Sequence, residues 1–356
     1  MTTPAPFIIP RNGSWRYHRP AWLLAFAISC TITLTNQVWV GGLSIYANDS
    51  TATREALHRV ILSNQLPPSA ESWISIGANG ANIRLLTVWT AEVLHRATSL
   101  SLSHCYRIIE TSAVLGCCIL LFAFLESCAG PVFALCGLLY FGCVLPLTYL
   151  FHTFHPWDKP SVMTWLMALI CVQRRRWWAL GAVLAIGMII KYDIVVFPLF
   201  VFLAEFRRDN WRASALLAAA LFGLTFGIYV GLRWFAPGGL EPRDWMEYIW
   251  RNLASIKQYA IAYPPLIGLG IPASLAAVGY RSADNFAKAG VRFCAVLSVV
   301  LFVQTNFREF RAEVPLLLLL LPSAAFGIQR LFNLDWGVRV DIAPSVAPAS
   351  ARAPRP

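Results

Sequence analysis

Ten apolar runs, six without any charged residue and four with one each, dictate what this chain can fold into. They lie near 21–43, 108–125, 130–151, 160–172, 177–190, 194–206, 213–232, 263–280, 291–305 and 314–332. About 20 apolar residues span the ~30 Å hydrocarbon core of a bilayer as a helix. In lipid only helices and closed barrels satisfy every backbone donor and acceptor. The runs are continuous and do not alternate, so the expected fold is all-α. It is a polytopic membrane protein with about ten transmembrane helices (9–11).

Composition closes the other classes. Hydrophobic residues make up 57% of the 356, and charged residues only 13%, about half the share in an average soluble domain. A soluble enzyme, a disordered chain and a disulfide scaffold are excluded. The net charge of +11 arises from few acids (18), not from many bases (29), so no nucleic-acid partner is expected. The nine cysteines are odd in number and contain no C-x-x-C pair, which indicates neither a zinc site nor a disulfide framework. Cys105 and Cys128 are the two expected near water.

The N-terminal run has a basic start, but at about 20 residues it exceeds a signal-peptide core of ~7–15. It reads as a retained first span. Residues 82–98 are different. Arg84, Glu92, His95 and Arg96 interrupt them, while Leu85, Val88, Trp89 and Val93 recur at helical spacing. This pattern predicts an amphipathic helix lying in the interface. With 82–98 flat, triplets of Lys or Arg near 11–19, 174–176, 207–212 and 281–292, and the basic tail, all fall on one side. Short cytoplasmic loops collect such residues, so both termini are expected in the cytoplasm. The domains are then an N-terminus 1–19, a membrane domain 20–332 and a Pro/Ala-rich disordered tail 333–356. No internal repeat of the kind that builds many transporters is present.

Under this topology the unusual polar segments share the non-cytoplasmic side. The runs 160–172, 177–190 and 194–206 have 13–14 residues, or ~20 Å of helix. Asp158, Lys159, Lys191 and Asp193 at their ends would sit recessed below the membrane surface. A charge there is costly unless it lines a cavity or is paired, so it marks a candidate site. The plain alternative is a Lys191–Asp193 pair closing a helical hairpin. Likewise Arg308 and Arg311 can grip a phosphate bidentately, or close the surface with Glu309.

The long loop 44–107 carries Asp49 before a helix-forming stretch, 52–64. Asp49 either caps that helix or acts as a general base. His152, His155 and Asp158 form H-x-x-H-x-x-D, a ligand set open to a divalent metal. Pro156 disfavours one continuous helix there, so no cofactor is firmly expected, and hydrogen bonding to sugar or phosphate, or interface anchoring by Trp157, is preferred.

Tyr46-Ala47-Asn48-Asp49, His155-Pro156-Trp157-Asp158, Lys191-Tyr192-Asp193 and Asn306-Phe307-Arg308-Glu309-Phe310-Arg311, in that order, resemble the polyprenol-linked membrane glycosyltransferases of the GT-C fold over about 20–332. The resemblance implies two juxtamembrane helices, near 52–64 and 82–98, in the first outer loop. It implies inverting transfer of a sugar from a polyprenyl-phosphate-linked donor to an acceptor at the outer face of a bacterial inner membrane. Asp49 would be the catalytic base. Lys191, Arg308, Arg311, His155, Asp158 and Lys159 would bind substrate, with the bilayer and the lipid-linked donor as partners. A transporter or lipid flippase, and a catalytically silent scaffold, remain alternatives.

Overall fold

The computed structural model describes residues 15–42, 58–59, 61–62, 83–152, 155–206, 210–235, 245–258, 264–305 and 309–333. Every element among them is helical. In chain order they are α1 (Trp15–Gly42), α2 (Leu85–Thr98), α3 (Leu102–Ala129) and α4 (Pro131–Val144), the last continued by a 3-10 segment, Leu145–His152. Then come α5 (Asp158–Gln173), α6 (Trp177–Ile190), a 3-10 turn Tyr192–Val196 and α7 (Phe197–Glu205). The last five are α8 (Trp211–Phe235), α9 (Trp245–Gln258), α10 (Pro264–Gly279), α11 (Asn285–Gln304) and α12 (Phe310–Phe332).

Six of these segments are long and apolar enough to cross a membrane: 19–39, 102–129, 131–149, 211–234, 285–303 and 310–332. They make the chain an integral membrane protein. Large apolar side chains such as Leu23, Leu34, Leu216 and Val299 stand exposed on its surface, as lipid-facing positions do. α9 occupies a stretch where the count of apolar runs anticipates no element.

α12 is the central helix, with 72% of its most apolar stretch buried, against 11% for the peripheral α8. Leu316 to Leu321 are all buried, as expected of a helix that is apolar all round. It packs on α10 through small residues. A Cβ on Gly279 would collide with the Ser323 carbonyl and the Gly327 amide, and one on Gly327 with the Leu275 carbonyl. The two backbones therefore approach closely, and Ser323 Oγ donates to the Ala276 carbonyl at 3.2 Å. Pro272 within α10 cannot donate to the Gly268 carbonyl four residues earlier. Tyr140 of α4 supplies the missing donor at 3.0 Å.

On the other side of α12, Trp165 of α5 packs edge-on against Phe197, and Phe200 meets both Phe286 and Phe293 of α11. α3 and α4 are joined at Gly130, whose φ of 85° suits a residue without a Cβ. Pro131 then opens α4, where its missing N–H costs nothing. This hairpin and α5 hold the 3-10 segment 145–152 against α12.

Cys105 is fully buried beside Ala91 and Tyr106, contrary to the expectation that it lies near water. α2 folds over it and takes it out of solvent. Cys128 is half-buried, and every cysteine is a free thiol.

Candidate functional site

Three chain breaks converge at one end of the bundle. The first is the turn before α5. Pro156 and Trp157 separate it from the preceding 3-10 segment, so α5 begins at Asp158. An acid suits the positive end of a helix dipole there. The second is the end of α6, where Lys191 is extended (φ −162°, ψ 123°). The third is the start of α12, where Glu309 precedes Arg311.

Their side chains form one network. Lys191 Nζ lies 3.1 Å from Asp158 Oδ1 and 3.2 Å from Asp193 Oδ2. Arg311 Nη1 reaches Asp158 Oδ2 at 3.3 Å, and its Nε donates to Glu309 Oε2 at 2.8 Å. Ser161 Oγ donates to Asp193 at 3.2 Å. The Asp158, Lys191 and Arg311 side chains are only 9%, 14% and 13% exposed. Both plain pairings, Lys191–Asp193 and Arg311–Glu309, are present. Asp158 joins them, so the two hairpin closures become a single buried charge cluster.

Arg84 enters from the residue before α2. Its guanidinium stacks 4.6 Å over Trp157 and 5.5 Å over Tyr192, the geometry of a cation–π contact. The cluster thus gathers three cations, Arg84, Lys191 and Arg311, around Asp158. The sequence marks Arg84 only as a charge interrupting 82–98. What assigns it to the site is the docking of α2 on α3 and α6. The Trp157 indole N–H is buried and has no acceptor among the described residues.

Lys159 faces the other way. Its Nζ donates to Thr148 Oγ1 at 2.5 Å and sits 4.4 Å over the Tyr149 ring. Tyr149 OH donates to Glu110 Oε1 at 2.6 Å and accepts from Asn36 Nδ2 at 3.0 Å. This second buried network ties α1, α3 and the 3-10 segment to α5. Adjacent positions at a helix start point ~100° apart, which sends neighbours Asp158 and Lys159 into different networks. His155 packs its ring 5.3 Å from Trp157 at the edge of the cluster.

Of the seven residues singled out in the sequence, Asp158, Lys191 and Arg311 meet directly, His155 borders them, and Lys159 belongs to the adjoining network. Asp49 and Arg308 lie outside the described residues, as does most of 52–64. His155 and Asp158 do not share a helix, and among the described residues no group of three His, Cys, Asp or Glu side chains is placed to hold a metal. A cavity of about 290 Å³ opens elsewhere, along α3 at Leu100, His104, Arg107 and Thr111.

No family model matches the chain, and no curated protein or solved structure is significantly similar to it. What the site can do therefore rests on its own chemistry. It offers a recessed set of carboxylate-paired cations with aromatic walls, suited to exchanging a carboxylate partner for another anionic oxygen group.

Proposed function

We propose that the protein is an inverting membrane glycosyltransferase of the GT-C type, drawing on a polyprenyl-phosphate-linked sugar at the outer face of a bacterial inner membrane. The observation that carries this reading is the bridge from Asp158 to both Lys191 and Arg311. It gathers two cations where a lipid phosphate would have to be held. All ten apolar runs cross in this proposal, α2 lies flat and both termini are cytoplasmic. α5 and α6, with 16 and 14 residues, reach only ~24 and ~21 Å. Their charged ends thus lie within the leaflet, level with a donor whose lipid tail stays in the bilayer.

In this mechanism Asp49 accepts the proton of the acceptor hydroxyl as it attacks the anomeric carbon. The bond to the phosphate oxygen breaks, and Lys191, Arg311 and Arg308 stabilise the charge left on the lipid phosphate. Arg84 adds a third described cation to that set. Asp158 holds Lys191 and Arg311 in register before the donor binds, His155 borders the sugar, and Lys159 supports the floor through Thr148. The test is transfer from a polyprenyl-phosphate sugar in proteoliposomes. Asp49→Asn is expected to lower the rate by about 10²–10⁴-fold; full activity would refute the assignment.

A second reading, a transporter, draws on Glu313. This carboxylate lies inside the α12 span, is 0% exposed, and neither of its oxygens has a partner among the described residues. Acids in such positions often belong to ion pathways. Solute uptake into sealed vesicles without sugar transfer would favour it.

A further inference from the structure

We infer that α9 is a membrane-binding helix that lies in the headgroup region of the bilayer, at the end of the bundle that carries the charge cluster. The inference stands independently of the transferase reading.

Two observations place the helix. Asn252 is fully buried, and its Nδ2 donates to the Phe302 carbonyl at 2.6 Å and the Thr305 carbonyl at 2.9 Å. These are last-turn and C-cap acceptors of α11, left without intrahelical donors. α9 is therefore fastened at the level where a membrane-crossing helix ends. Thr305 precedes Arg311 by six residues, which puts that level close to the cluster. In sequence α9 stands between α8 and α10, two apolar helices.

The faces of α9 then fall into three sectors. Asn252 and Ser255, both buried, point at α11. Met246, Trp250, Leu253 and Ile256 occupy an arc of about 120° beside them, and all four are exposed, by 39% to 64%. Glu247 and Arg251, paired at 2.7 Å, and Gln258 occupy the opposite flank. A helix lying on a soluble protein turns its apolar arc inward. Here the inward face carries Asn252, Ser255 and, between them, the half-buried Tyr248, while the apolar arc is exposed and centred about a third of a turn away. That division matches a helix beside a membrane protein at the interface, with lipid below, water above and protein alongside. Val296 and Val299 of α11, the helix on which α9 docks, are exposed as well. Lys257 falls within the arc, between Met246 and Trp250 on the helical wheel, and its long stem lets the ammonium reach up to the phosphates.

Site-directed photo-crosslinking of the full chain in phosphatidylethanolamine–phosphatidylglycerol proteoliposomes tests this. A benzophenone amino acid replaces Trp250 or Leu253 in the arc, and Glu247 or Gln258 on the polar flank. Lipid adducts read by mass spectrometry are expected at 250 and 253, about tenfold above those at 247 and 258. Crosslinks from 250 and 253 to the chain's own 236–244 or 259–263, or to a second copy, would overturn the proposal. So would equal lipid labelling at all four positions, or none at any. All four replaced side chains are exposed, so the variants keep the core intact.

Discussion

Asp158 and Lys191, 33 positions apart in the chain, meet at 3.1 Å where two short helices end. The contact joins the start of α5 to the end of α6, while the second Asp158 oxygen holds Arg311 on α12. One carboxylate thereby ties three helices together at one end of the bundle.

Removing that carboxylate leaves Lys191 and Arg311 facing each other without their shared counter-charge. Breaking a buried pair from one side costs about 3–5 kcal/mol. Asp158→Ala is expected to destabilise by this order, measured by unfolding in mixed micelles. Adding Lys191→Met should recover part of the loss, and additive effects would refute the coupling.

The α10–α12 contact depends on the absence of side chains. Gly327→Ala should cost about 1–3 kcal/mol, because its Cβ meets the Leu275 backbone, which cannot swing aside. Gly223→Ala on α8, where nothing lies within 4 Å, serves as the control and should leave stability unchanged or slightly raised. Melting temperatures in detergent compare the two.

Glu313 makes no hydrogen bond among the described residues although it is fully buried. Burying such a group without a partner costs about 1–3 kcal/mol. Glu313→Leu is therefore expected to stabilise the fold. A stabilised variant that also loses vesicle uptake would identify Glu313 as a transport residue; one that keeps sugar transfer would leave the transferase reading intact.

Glu92 on α2 accepts from His58 Nε2 at 2.9 Å and from Arg96. The hydrogen bond from His58, then that from Arg96, holds its carboxyl below the usual 4.5. A depressed carboxylate contributes stability that is present above the unfolded value and fades as pH falls through the folded one. The carboxylate's share of the stability difference between wild type and Glu92→Gln should shrink as pH falls below about 4.5. A difference that does not change down to pH 3 would contradict the linkage.

Part of this site was legible in the chain. Charges at the ends of runs too short to cross a bilayer stand out because hydrocarbon penalises them, and that singled out Asp158 and Lys191, while Arg311 stood out beside Arg308 as a phosphate-gripping arginine in the loop before the last run. Arg84 was visible only as an interruption of 82–98, since its partners Trp157 and Tyr192 come from other segments. The amphipathic signal of α9 was also available. Met246, Trp250, Leu253 and Ile256 recur at helical spacing, but the helix is too polar to register among apolar runs.

The sequence by itself determined the membrane environment, the all-helical class and the end of the bundle where polar chemistry collects. These follow from the cost of placing backbone and charge in hydrocarbon, which depends only on local composition. The tertiary structure decided which charges meet. α5, α6 and α12 are apolar on nearly every side, so no periodicity records their neighbours. Packing of small and aromatic residues sets their order, and that order brings Arg311 to an Asp158 lying 153 residues earlier. It also turns Lys159, the next residue along, away into a separate network.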